Sequence, residues 1–184
     1  MARQTLMDSG VLEASITDPL AANTATTETL IVSNSFRYVL IPAYDARPGK
    51  MYVIEAGGLI TTGASGTLII NARIHTASSA TLGNTLGGSI TQTTPVSSLS
   101  GPWYMRLTLI VLTTGDPGAT STIKGTGYFM SGGVAATANS GMQVMFGGTS
   151  ATFDHSVNNT INLTKTLSVA GSWTTQWINS LVPN

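Results

Sequence analysis

No cysteine occurs in the 184 residues, which excludes disulfide staples, thiolate metal sites and a thiol nucleophile in any redox compartment. Charge is scarce as well. Eight basic and eight acidic residues cancel to a formal net charge of zero, and only 9% of the chain is charged, against roughly 25% in an ordinary globular domain. A surface so poor in Lys and Arg has little with which to grip a phosphate backbone or an anionic bilayer, so neither nucleic acid nor membrane is an expected partner. The same neutrality removes the like-charge repulsion that keeps copies of a protein apart, and self-association is expected. Long apolar runs are missing too: those around 107–112 and 67–74 are far shorter than a membrane-spanning helix requires. The opening Met1-Ala2-Arg3-Gln4-Thr5 leads towards Asp8, Glu13 and Asp18 without the apolar core of a secretory signal, which predicts synthesis in the cytoplasm.

What the chain does have is alternation. In 66–76, Leu68, Ile70, Ala72 and Ile74 share one parity while Thr67, Asn71, Arg73 and His75 share the other, the pattern of a half-buried strand. The run 102–114 repeats it, with Trp103, Met105, Leu107, Leu109 and Val111 inward, Tyr104, Arg106 and Thr108 outward, and a far end at Ile110 and Leu112 expected to be covered on both faces. A third run, 161–169, has Ile161, Leu163, Leu167 and Val169 inward, and Lys165 interrupts that series, which suggests an edge or a bulge. Further strands are predicted at 28–32, 38–41, 50–56, 120–130 and 142–146. Thr114-Gly115-Asp116-Pro117-Gly118 and Thr61-Thr62-Gly63-Ala64-Ser65-Gly66 each separate two such runs and are expected to close hairpins. No window has sustained helical spacing, so a parallel α/β fold is excluded. The prediction is an all-β, antiparallel, jelly-roll-like sandwich of about eight strands over 26–184, preceded by an N-terminal arm over 1–25. The Ser, Thr and Gly-rich stretch 76–101 reads as a long loop.

Candidates for chemistry are few. Only His75 and His155 are available as histidine bases. Asp154 and His155 are neighbours in sequence, but successive strand residues face opposite sides, so the pair is read as solvated surface. His75 reads as an ordinary exposed side chain. The scattered carboxylates Asp45, Glu55, Asp116 and Asp154 form no metal-ligand spacing and no evident acid pair. The doublets Gly57-Gly58, Gly87-Gly88, Gly132-Gly133 and Gly147-Gly148 lack the helix and basic residue of a phosphate loop and read as turns or bulges. The reading is a non-enzymatic protein with no catalytic residue, no metal and no cofactor. The expected contact residues are Leu6, Met7, Val11, Leu12 and Leu20 in the arm, and Trp173 and Trp177 near the C-terminus. Packing in a core or interface is favoured over a sugar site for the two tryptophans, since nothing nearby in sequence supplies clustered Asp, Asn and Arg.

Three segments together carry a family resemblance: Tyr38-Val39-Leu40-Ile41-Pro42-Ala43-Tyr44, Pro48-Gly49-Lys50-Met51-Tyr52-Val53-Ile54-Glu55-Ala56-Gly57-Gly58, and Ser65-Gly66-Thr67-Leu68-Ile69-Ile70-Asn71-Ala72-Arg73-Ile74. With Trp103-Tyr104-Met105-Arg106-Leu107-Thr108-Leu109 and Gly125-Thr126-Gly127-Tyr128, this layout resembles that of small virion surface proteins of tailed bacteriophages. The resemblance spans roughly 36–130 and implies a jelly-roll that decorates or cements a capsid, or forms part of a head fibre, spike or tail. It implies a homotrimer, with partners in copies of itself and in the major capsid protein or another virion protein, and a final location in the virion after assembly in the host cytoplasm. A carbohydrate- or receptor-binding module on the same scaffold is the alternative. The arm, unable to bury enough apolar area by itself, is expected to gain order on a partner and to supply attachment, and its deletion is expected to leave the sandwich whole.

Overall fold

A computed structural model of the chain describes residues 11–15, 27–31, 39–63, 65–76, 83–88, 92–93, 100–118, 120–132, 142–169 and 171–181. The described residues form strands β1 (Val11–Ser15), β2 (Thr29–Leu30), β3 (Val39–Ile41), β4 (Met51–Thr61), β5 (Thr67–Thr76), β6 (Asn84–Gly88), β7 (Gln92–Thr93), β8 (Ser100–Thr113), β9 (Ser121–Ser131), β10 (Met142–Phe153), β11 (Asn159–Leu167) and β12 (Ser172–Leu181). They make two antiparallel sheets packed face to face. One runs β1-β12-β4-β8-β9-β10, and the other β2-β11-β5-β6, with β3 also paired to β11 and β7 to β5. The molecule is the antiparallel β-sandwich that the alternation predicts.

The reason is parity. β5 alternates half-buried and buried along nearly its whole length, and β9 alternates buried positions with half-buried or exposed ones. Leu68, Ile70, Ile74, Leu107, Leu109, Leu163 and Leu167 all lie buried in one core between the sheets. At one end of that core three rings stack: Trp173 stands 4.7 Å from Trp103 and 5.5 Å from Phe129, centre to centre. Trp103 donates its indole N–H to the Thr174 carbonyl at 3.1 Å, so its polar atom is satisfied inside the apolar layer. On the outer side of the sheet that holds β5 and β11, Glu28 bridges these two strands. Its carboxylate accepts from Arg73 Nε at 2.7 Å and Nη2 at 2.5 Å, from Asn71 at 3.0 Å, and from the Thr164 hydroxyl. Burial alone would raise the Glu28 pKa, but the hydrogen bonds from Arg73, Thr164 and Asn71 and the charge of Arg73 outweigh it and hold the carboxyl below its ordinary value.

Several expectations are corrected. The Thr61–Gly66 turn closes no hairpin: β4 and β5 lie in different sheets, so it is a corner between layers. The hairpin expected at 114–118 is present, joining β8 to β9, with a register shift between Val111 and Thr113. β6 and β7, inside the stretch read as a loop, pair with β5. Within the expected arm, β1 pairs with the outer edge of β12, so removing residues 1–25 strips the six-stranded sheet of an edge strand. Ile110 and Leu112 are exposed rather than covered.

Lys165 is the sharpest departure. β11 pairs with β5 without a break from Asn159↔Thr76 to Leu167↔Leu68, so neither bulge nor edge accounts for it. Its register partner Ile70 is a core residue, and Lys165 is itself 1% exposed, with its ammonium 5.9 Å from the centre of the Trp173 ring. Among the described residues no carboxylate is bonded to it. Desolvation lowers its pKa, and the aromatic face offsets only part of that cost.

Two stability measurements test this core. Leu109→Ala should cost about 2–5 kcal/mol by denaturant titration, and a change within error would mean the register is wrong. Lys165→Met keeps the stem and removes the buried charge, so it should be neutral or stabilising at pH 7. Because the folded pKa of Lys165 lies below the unfolded one, the wild-type penalty fades as pH rises through that window, and the advantage of the Met variant should shrink with it.

Candidate functional site

The outer face of the six-stranded sheet carries an aromatic cluster that simple alternation along β12 does not predict. Trp173 and Thr175 point into the core, and a period of two would carry Trp177 to the same side. A register shift between Thr175 and Trp177 inserts Gln176, so Trp177 turns outward while Ile178 and Ser180 resume the inward series. Opposite the bulge, Thr175 faces Gly58 and Trp177 faces Gly57. A Cβ on Gly58 would stand 1.9 Å from the Thr174 carbonyl oxygen, and one on Gly57 would stand 2.7 Å from the Trp177 indole. Two glycines inside a central strand weaken it, and here both are needed: one makes room for the bulge and the other seats the indole directly on the sheet.

From that seat the rings continue across neighbouring strands. Gly57 is paired with Tyr104 on β8, whose ring lies 6.0 Å from that of Trp177 and 6.0 Å from that of Tyr128 on β9. The Tyr104 hydroxyl donates to Glu55 Oε1 at 2.9 Å, and Arg106 Nε lies 3.7 Å from the same oxygen. Burial, then the hydrogen bond to Glu55 and its charge, push the Tyr104 phenol up, so it stays a proton donor across the working pH range. Beside the rings an open groove of about 240 Å³ is lined by Arg106, Thr108, Thr126, Gly127 and Tyr128. Trp177 is 38% exposed, and Leu59 on β4 and Met130 on β9, the register partner of Tyr104, are exposed as well.

A second feature lies at the end of the sandwich formed by the loop 42–50, the β8–β9 turn and the β10–β11 turn. Backbone and side-chain bonds lock these together: Tyr44 N–H to the His155 carbonyl at 2.7 Å, Ala43 N–H to Asn158 Oδ1 at 2.9 Å, and Gly49 N–H to the Val111 carbonyl at 2.8 Å. Asp45 accepts from Lys50 at 2.5 Å and from the Tyr52 hydroxyl at 2.8 Å, bracing the loop against β4. Around this end Tyr44, Met51, Ile110, Leu112 and Val157 are all exposed. Tyr44 is 64% exposed and has φ of 61°, a left-handed conformation that L side chains adopt at a cost.

Among the described residues, the two histidines and the acids Asp45, Glu55 and Asp154 each take partners of their own. The His155 ring Nδ1 bonds the Ser121 hydroxyl at 2.9 Å and its ring meets Tyr44 edge-on, while Asp154 accepts from the N–H and hydroxyl of Ser156. The two neighbours thus serve separate turns. The Ser156 hydroxyl and backbone N–H hold the Asp154 carboxyl below its ordinary range. His75 is half-buried rather than free. Its Nδ1 bonds the Thr76 carbonyl at 2.6 Å and therefore donates, which leaves Nε2 to accept from Thr160 at 2.9 Å and Asn162 at 2.7 Å. Asp45 and Glu55 are each committed to the contacts given above. Among the described residues no three His, Asp or Glu side chains gather as a metal-binding group.

Of the predicted contact residues, Leu6, Met7 and Leu20 lie outside the described residues, and Val11 and Leu12 belong to β1. Trp173 is 1% exposed in the chain's own core and is unavailable as a contact, whereas Trp177 is on the surface. Alternation had placed Tyr104 and Arg106 outward. Their meeting with Glu55, Tyr128 and Trp177 depends on cross-strand register and on one bulge, neither of which local sequence reveals. Compared with known proteins, the chain matches no family model, no curated protein and no solved structure.

Proposed function

We propose that the chain is a non-enzymatic structural protein that assembles as a homo-oligomer, in the manner of a capsid decoration or cement protein on a virion. The observation that carries this reading is the exposed apolar end of the sandwich around Tyr44. Tyr, Met and aliphatic side chains clustered at one surface are what a protein interface is built from. Holding a tyrosine in a left-handed conformation costs about 1–2 kcal/mol, and the surrounding bonds to His155, Asn158 and Val111 maintain it although nothing in the fold's own core uses the side chain. The occupant that fits this end is a second copy of the chain, because with zero net charge identical copies meet without net repulsion. The virion assignment rests on the sequence resemblance, and the double-sheet body, with one apolar core shared between its sheets, suits a component that must stay folded outside a cell.

A second reading, a carbohydrate- or receptor-binding module, is favoured by the aromatic cluster around Trp177.

Sedimentation velocity at micromolar concentration should show a multimer, with a trimer the expected state; a strict monomer would sink the assembly reading. Tyr44→Gly removes the strain and the ring together. It should leave the melting temperature equal or higher while shifting the multimer towards monomer, and Leu112→Lys should do the same. If both variants assemble like the wild type, the contact lies elsewhere. For the location, a mass-spectrometric inventory of purified virions from the chain's source should contain it in many copies per particle, and its absence there would overturn the virion assignment.

A further inference from the structure

We propose that the outer face of the six-stranded sheet around Trp177, Tyr104 and Tyr128 is a binding site for a neutral oligosaccharide laid across the strands. The inference rests on the second reading above, carbohydrate or receptor binding, and is separate from the assembly reading, which concerns the surface around Tyr44.

Three properties of the surface select this ligand. First, the rings of Trp177, Tyr104 and Tyr128 follow one another at 6.0 Å and 6.0 Å across β12, β8 and β9. A pyranose presents a face of C–H groups that packs on such rings, and a series of rings suits a series of sugars. Second, the groove beside the rings holds donors and acceptors at its wall: the Arg106 guanidinium and the hydroxyls of Thr108 and Thr126. Arg106 is 45% exposed in its side chain, and among the described residues its ion-pair contact is the loose 3.7 Å approach to Glu55, which leaves guanidinium N–H groups for a ligand in the groove it lines. Third, Glu55 cancels the Arg106 charge locally, so the site does not favour an anion over a neutral hydroxyl-rich chain.

The shape agrees. About 240 Å³ of open groove is below the roughly 300 Å³ at which enclosed small-molecule pockets begin, as expected where a ligand crosses a surface instead of being swallowed by it. An extended peptide would recognise a free strand edge by backbone hydrogen bonds. β4, β8 and β9 are interior strands paired on both sides, so this face offers side chains alone. A nucleic acid would need a basic surface, and the site is neutral.

Gly57 and the bulge at Gln176 matter to the proposal because they fix the ring. The indole rests where any other residue's Cβ would be, within 2.7 Å of its atoms, so the platform is formed before a ligand arrives and little ordering is needed on binding.

The test uses the full chain, first on an array of neutral, N-acetylated and sialylated oligosaccharides, then by titration calorimetry with the best neutral binder. Binding to neutral oligosaccharides is expected, with a shift in the fluorescence of the exposed Trp177. Trp177→Ala and Arg106→Ala should each weaken it by about tenfold or more, with unchanged far-ultraviolet circular dichroism, while Tyr44→Gly, outside the rings and the groove, should bind as the wild type does. No binding on the array overturns the proposal. So does binding that survives both Trp177→Ala and Arg106→Ala. Preference for sialylated chains with steep salt dependence would also overturn it, and loss of oligomerisation in Trp177→Ala without sugar binding would assign the face to a protein contact instead.

Discussion

Everything in this molecule depends on one constraint: two sheets share a core, so each strand must send alternate side chains inward, and a residue's role follows from its parity. Where parity is kept, as along β5 and β9, the inward series supplies the apolar layer and the outward series the polar surface. Where it is broken, something is gained at the surface. The bulge at Gln176 reverses the parity of β12 between two tryptophans of the same strand, so that Trp173 completes the ring stack of the core and Trp177 becomes the most prominent ring of the outer face. Gly57 and Gly58 on the facing strand are the cost of that reversal and the reason it is stable, since a side chain at either would collide with it. A second bulge, on β10 between Gly147 and Ser150, works with positive φ at Gly147 and Gly148 in the same way.

Much of the sandwich was legible because alternation is a local signal. Leu68 to Ile74, Trp103 to Val111 and Ile161 to Leu167 announce their inward faces within ten residues or so, and each faces inward in the structure, whereas Val169, expected inward at the end of the third run, is exposed beyond the end of β11. β12 was not legible as a strand because its bulge destroys the period halfway along. β1, β6 and β7 were hidden for another reason: they join the sheets through backbone pairing with β12 and β5, and backbone pairing leaves no mark in side-chain composition. Lys165 misled because a charged residue on an inward parity ordinarily signals an edge. Here the strand is central and an aromatic face receives the ammonium. The candidate site was legible only in pieces. Tyr104, Arg106 and Glu55 are 49 or more positions apart in two of their pairings, and cross-strand register brings them together.

The scarcity of charge shapes both surfaces. Among the described residues, ionic groups meet locally in three pairs: Asp45 with Lys50 under the Tyr44 loop, Glu28 with Arg73 across the sheet of β5 and β11, and Glu55 with Arg106 beneath the ring cluster. Each pair braces a particular piece of backbone or side chain, and none projects a long-range field. Recognition by such a protein must therefore work at contact range, through shape, rings and hydroxyls, and should depend little on ionic strength.

The pairing of β1 with β12 has a mechanical side. Val11 faces Leu181 and Ser15 faces Ile178, so the first residue of β1 and the last of β12 lie at one corner of the same sheet. Tension applied through both would bear on the Val11–Leu181 pair first and then on each following pair in turn, because antiparallel hydrogen bonds lie perpendicular to the strands. That is the geometry of a zipper, which opens at low force one bond at a time. Tension entering through one terminus and leaving through the opposite end of the sandwich would instead load many bonds together in shear.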